Sequence, residues 1–239
     1  MDLSYGQGQE FVRQVRPMLE RCDTESLIEY LARRWPPQQM VGLLRCGDPD
    51  TVKTVLVCLG MAGTMVECTP IAAVLHDRDE TIVELAEQAL WSIWFRSGDG
   101  QANKTLHRAV QMLARDQFIP AIEWLSILAL RHPDFAEVYN QRAMARFLAS
   151  HYQRAIEDTH KTLCLNPLHF GAMTTRGHCH AARGELNEAL EMYHAALQIH
   201  PRFEGIREAL VQVFKCLCRC RAGTSSGQSR AFTSYADSP

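Results

Sequence analysis

Three prolines, Pro133, Pro167 and Pro201, are evenly spaced along a chain of 239 residues. Three alanines, Ala121, Ala155 and Ala189, keep the same interval, as do Ile122, Ile156 and Leu190 behind them. Glu123, Glu157 and Glu191 follow in register, and a bulky residue (Phe118, Tyr152, Leu186) precedes each alanine by three positions. A recurrence of about 34 residues holds two helices and their turns, so it predicts a stack of helix–turn–helix units rather than one closed core. The units run about 102–135, 136–169 and 170–203. Each repeat touches only its neighbours, so the last apolar face needs a cover. Ile206, Leu210, Val213, Phe214 and Leu217 share one helical stripe and predict a capping helix over 203–218. The following 219–239, rich in Ser and Gly, reads as a disordered tail.

Small residues also recur at 109, 143 and 177 (Ala, Ala, Gly), where the two helices of a unit must cross closely. Asp116, Ser150 and Gly184 suit the tight reversal between them. With the alanines and prolines, these positions closely resemble tetratricopeptide repeats. Thr105 and Met112 depart from the family's aromatic positions in the first unit, whereas the second keeps Tyr139. The resemblance implies a groove lined by the first helices of successive units. Carried onto this chain, it marks Leu106, Val110, Asn140, Met144, Phe147, Thr174 and His178 as partner-binding positions. Met144 and Phe147 are then apolar anchors, and Asn140 holds backbone groups. The competing expectation is that Leu106, Val110 and Phe147 pack against the first half of the chain or a tail segment. Chaperone adaptors of this family hold a terminal carboxylate with lysine, asparagine and arginine. Here Leu106, Val110, Gln141, Gly171 and Thr175 stand at those places, so that clamp is not expected.

The first part of the chain follows a shorter rule. Phe11, Val12, Val15, Met18 and Leu19 predict a helix over about 9–21, with frayed residues before it. Asp23 or Thr24 caps a second helix, which Pro36-Pro37 ends. Leu44 and Leu75, Asp48 and Asp79, Val52 and Val83, and Leu59 and Leu90 are pairs at one constant spacing, slightly shorter than that of the prolines. Each unit reads as a short helix, an Asp-rich turn and a longer helix, which resembles HEAT-like repeats over 1–97. The polar, Gly-containing 96–101 marks the junction. The expected fold is all-α: an alpha-alpha superhelix of HEAT-like pairs, three tetratricopeptide units and a capping helix.

Function follows from what this chain offers and lacks. A net charge of −2 gives no general pull toward nucleic acid or anionic membrane. Nine cysteines at irregular spacing fit a reducing cytoplasm better than a disulfide framework. No nucleophile elbow, zincin motif or phosphate loop is present, and no cofactor is expected. His178 and His180 lie two apart on a helix and so point to different faces; His160 and Cys164 have metal-compatible spacing but no second pair. No metal site is assigned. Cys216, Cys218 and Cys220 read as a basic helix end. The expected function is non-enzymatic protein binding, as an adaptor or assembly scaffold, in the cytoplasm. Its partner is another protein or a peptide segment, with no nucleic acid and no membrane. A HEAT-like bilin lyase, or a subunit of one, is the alternative.

Overall fold

The computed structural model describes residues 3–221, with side chains described from 6 to 218. Thirteen α-helices and no strand occur among the described residues. None of these helices is long and apolar enough to cross a membrane. The chain divides into two compact units after Ser97.

In the first unit α1 (Leu3–Glu20) and α2 (Thr24–Arg34) precede two helix pairs. These are α3 (Pro37–Leu43) with α4 (Pro49–Ala62), and α5 (Cys68–Val74) with α6 (Glu80–Phe95). The helix starts recur at the spacing of the paired leucines and aspartates, from 37 to 68 and from 49 to 80. The long helices begin where aspartates satisfy free backbone donors. Asp48 accepts from Thr51 N at 3.2 Å, and Asp79 from Thr81 N at 2.9 Å. Val55, Leu56, Leu59, Ile71, Leu90 and Trp94 form the interior of this unit. The frayed start expected over 1–8 is instead helical from Leu3. Gly8 is buried there because its missing side chain admits Thr51, whose Cγ2 would lie 2.8 Å from an added Cβ.

The second unit holds three helix pairs: α7 (Gly100–Leu113) with α8 (Phe118–Arg131), α9 (Ala136–Leu148) with α10 (Tyr152–Leu165), and α11 (Phe170–Ala182) with α12 (Leu186–Ile199). α13 (Ile206–Arg221) packs on α12 and α11. The periodic residues account for this geometry. Asp116, Ser150 and Gly184 all sit in the left-handed region, at φ 58°, 61° and 81°, and reverse the chain inside each pair. His132, Asn166 and His200 precede the three prolines and are driven out of helical geometry, with ψ of 70°, 91° and 88°. Ala109, Ala143, Ala121, Ala155 and Ala189 are fully buried where helices cross.

Gly177 shows how tight that crossing is. A Cβ placed there would lie 2.5 Å from the Tyr193 ring, which is itself fully buried. Gly177→Ala gains about 1 kcal/mol of helix propensity but overpacks the pair by about 1–3 kcal/mol. We expect a net loss of up to about 2 kcal/mol, read as a lower urea midpoint with unchanged slope. A midpoint at or above the parent value would contradict this packing.

The cap differs in detail from its expected form. Gly205, at φ 79°, delays the helix to Ile206 and leaves Phe203 before it. The inward stripe is Ile206, Ala209 and Val213, while Phe214 is 50% exposed. The small Ala209 lets α13 lie close, so Phe214 is turned out. The helix continues through Arg221, past the expected start of the tail at 219. The rest of that expected tail, 222–239, lies outside the described residues.

Candidate functional site

The first helices α7, α9 and α11 adjoin one another and carry all seven expected groove residues. They do not present those residues equally. Leu106 is fully buried, Asn140 is 4% exposed and Thr174 is 9% exposed. These three are corrected from contact surface to interior: position on a helix face gives direction but not depth. Thr174 spends its hydroxyl on Phe170 O at 2.9 Å. Val110, Phe147 and His178 are half-buried, and Met144 is the one apolar member well in solvent, at 37%.

Phe147 and His178 form an aromatic stack that joins α9 to α11. Their ring centroids lie 5.9 Å apart, and Tyr152 covers Phe147 at 5.8 Å. His178 Nδ1 meets the Tyr193 hydroxyl at 2.7 Å. Burial pushes the His178 pKa down to about 4 from its ordinary 6.5, so the imidazole is neutral at pH 7. Between those values the unfolded chain binds the proton that the folded chain refuses. Stability contributed by neutral His178 is therefore fully present above about pH 6.5 and is lost as pH falls toward 4, by at most about 1.4 kcal/mol per pH unit. His178→Gln should flatten the fall in urea midpoint across that window. An identical slope in the variant would contradict a neutral, enclosed His178.

His180 turns away from His178 to Glu185, at 2.7 Å from Oε2, which separates the two imidazoles. His160 and Cys164 touch at 3.7 Å. Among the described residues no group of three or more His, Cys, Asp or Glu side chains is placed to hold a metal ion. Cys58 and Cys179 are buried thiols, each pushed up to about 12 by burial and so unreactive as thiolates.

Two polar networks lie under this face. Glu137 is fully buried. It accepts from Asn140 at 2.9 Å and Gln141 at 2.7 Å, and lies 2.8 Å from His169 Nε2, also fully buried. His169 Nδ1 accepts from Ala172 N at 3.1 Å, which leaves Nε2 to carry the proton toward Glu137. Asn140 Oδ1 has no hydrogen-bond partner among the described residues. The second network is Asp158, which is 4% exposed. It accepts from Arg142 at 2.9 and 2.7 Å and from Arg146 at 2.7 Å. Arg142 also lies over the Tyr139 ring, 5.3 Å from its centroid. The available signal was the recurrence of Arg108, Arg142 and Arg176 at the interval of the prolines.

This set of helix pairs, close crossings and left-handed turns is the tetratricopeptide-repeat architecture. No family model matches the chain. A TPR repeat-containing protein of Rhizobium etli is 26% identical over 108 residues, covering 45% of this chain and 53% of that protein. The chain thus spans about half the length of the curated relative it matches. Among solved structures, the first TPR domain of human RPAP3 is similar at 20% identity and TM-score 0.50, covering 53% of this chain and 100% of that domain. The Sgt2 TPR domain of Aspergillus fumigatus is similar at 15% identity and TM-score 0.50, over 55% of this chain and 91% of that one. These likenesses concern the fold.

Proposed function

We propose that this protein is a non-enzymatic interaction module, an adaptor or assembly scaffold, that docks a peptide or helical segment of another protein on the face of α9 and α11. The observation that carries the reading is Met144, exposed at 37%. It stands on α9 beside the rigid Phe147–His178–Tyr193 stack. A flexible thioether on a stiff aromatic floor suits an apolar anchor from a partner. Val110 extends the apolar strip toward α7. The first unit, with its capping aspartates and evenly recurring helix starts, is proposed as a HEAT-like array over 1–97.

The test is affinity capture of the tagged protein from its native lysate, read by mass spectrometry. Met144→Glu should lose a partner that the parent and Val66→Glu both retain; Val66 lies in the first unit and is 74% exposed. Equal capture by all three proteins would remove the α9–α11 face from the account.

A further inference from the structure

The α7–α8 pair carries a different surface. α8 leaves Ile119, Trp124, Ile127 and Leu130 exposed at 52%, 41%, 54% and 85%. Beside them lies a cavity of about 360 Å³, formed between the two helices and lined by Trp124, Ile127 and Leu128 together with Arg108, Arg131 and His132. The charged side chains that line it are all basic.

The three helix pairs of the second unit differ here. In the α9–α10 pair Arg142 is neutralised by Asp158, at 2.7 Å. The equivalent positions hold Arg108 and Trp124 in the α7–α8 pair and Arg176 and Met192 in the α11–α12 pair. Arg108 is the exposed one of the three arginines, and it stands beside an indole rather than a carboxylate. Arg131 stands where the other two pairs have Leu165 and Ile199. Neither Arg108 nor Arg131 has an ion-pair or hydrogen-bond partner among the described residues. Asp99 reaches His132 at 3.8 Å but is already engaged as the N-cap of α7.

We infer that the α7–α8 cleft docks a short acidic segment of another protein. One aromatic or aliphatic side chain of the segment enters the cavity against Trp124 and Ile127, and flanking carboxylates pair with Arg108 and Arg131. Guanidinium groups match carboxylates in planar, two-pronged pairs, and indole offers a broad apolar wall with little ordering cost. Charge complementarity selects this occupant over the others. A second copy would bring the same two arginines to the cleft. An anionic lipid sheet cannot fill a concave cavity. The inference is independent of the α9–α11 reading.

The test is fluorescence polarisation with the full chain and a short fluorescein-labelled peptide that sets Phe and Leu among Asp and Glu. Saturable binding is expected, weakened about tenfold or more by Arg108→Glu, Arg131→Glu or Ile127→Glu, and unchanged by Met144→Glu. All three altered side chains lie at the cavity rather than in the core, and circular dichroism with a thermal midpoint confirms that each variant is folded. The same peptide with Lys for its acids should not bind. No saturable binding, or equal binding by the arginine variants, overturns the inference. Loss in Met144→Glu alone moves the peptide to α9–α11 and also overturns it. So does each other occupant: a sedimenting dimer broken by Ile127→Glu, peptide binding only after removal of 222–239, or binding to phosphatidylserine vesicles with none to peptide.

Discussion

Asp158→Ala should destabilise the second unit by about 3–5 kcal/mol, the largest effect we expect from a single side chain. The carboxylate is 4% exposed and receives three short hydrogen bonds from two guanidinium groups, whose side chains are only 13% and 15% exposed. Burial already pulls the Arg146 pKa below its ordinary value, with Asp158 the main influence opposing it. Removing the acid leaves two largely buried cations facing each other without the carboxylate that pairs them, and only Glu157 still opposes the charge on Arg146. The cost therefore comes from what is left behind rather than from the net worth of the pair. That distinction is testable. Asp158→Leu combined with Arg142→Met and Arg146→Leu removes all three charges together and should recover most of the loss, since a buried ion cluster rarely outperforms apolar packing. Urea unfolding of the parent, the single variant and the triple variant separates the two cases. A single variant within about 1 kcal/mol of the parent would show these charges to be solvated rather than enclosed.

Phe170→Ala should cost a similar amount, about 3–5 kcal/mol, and lower the thermal midpoint by on the order of 10 °C. Phe170 is fully buried at the start of α11. Its ring meets His200 edge-on at 5.2 Å and Phe203 at 4.9 Å, so one side chain ties the first helix of the third unit to the turn that leads into the cap. Because a repeat array loses cooperativity when a terminal unit detaches, the unfolding transition should also broaden. Leu130→Ala, at an 85% exposed position, is the matched control and should leave the midpoint in place. Equal midpoints for both variants would mean that α13 and the last turn do not seal the unit through Phe170.

The helix-pair architecture was legible because its causes repeat. Evenly recurring prolines fix where the second helices end, and a small residue at 109, 143 and 177 fixes where pairs cross. Asp116 and Ser150 were readable as turn residues, and the left-handed geometry they share with Gly184 explains their type. Depth was not legible. Leu106, Asn140 and Thr174 lie on the expected face, yet they are covered by neighbouring helices, which a residue's position in its own helix does not encode. Met144 and Asn140 differ by one turn and are 37% and 4% exposed. Pairings across helices were hidden for the same reason: Arg142 and Asp158 are 16 residues apart, and Glu137 and His169 are 32 apart. In the cap, the stripe of large residues pointed to Phe214, while the actual contact uses Ala209. Close approach favoured the smaller side chain.

The most direct measurement is site-specific photo-crosslinking from position 144. A benzoylphenylalanine in place of Met144 sits on the half-exposed edge of the α9–α11 face, and irradiation in the native lysate marks whatever docks there. The account predicts a discrete crosslinked protein band that a matched probe at Val66, 74% exposed in the first unit, does not produce. No specific crosslink from position 144, beside normal folding of the probe-bearing chain, would contradict the claim that this face binds a protein segment.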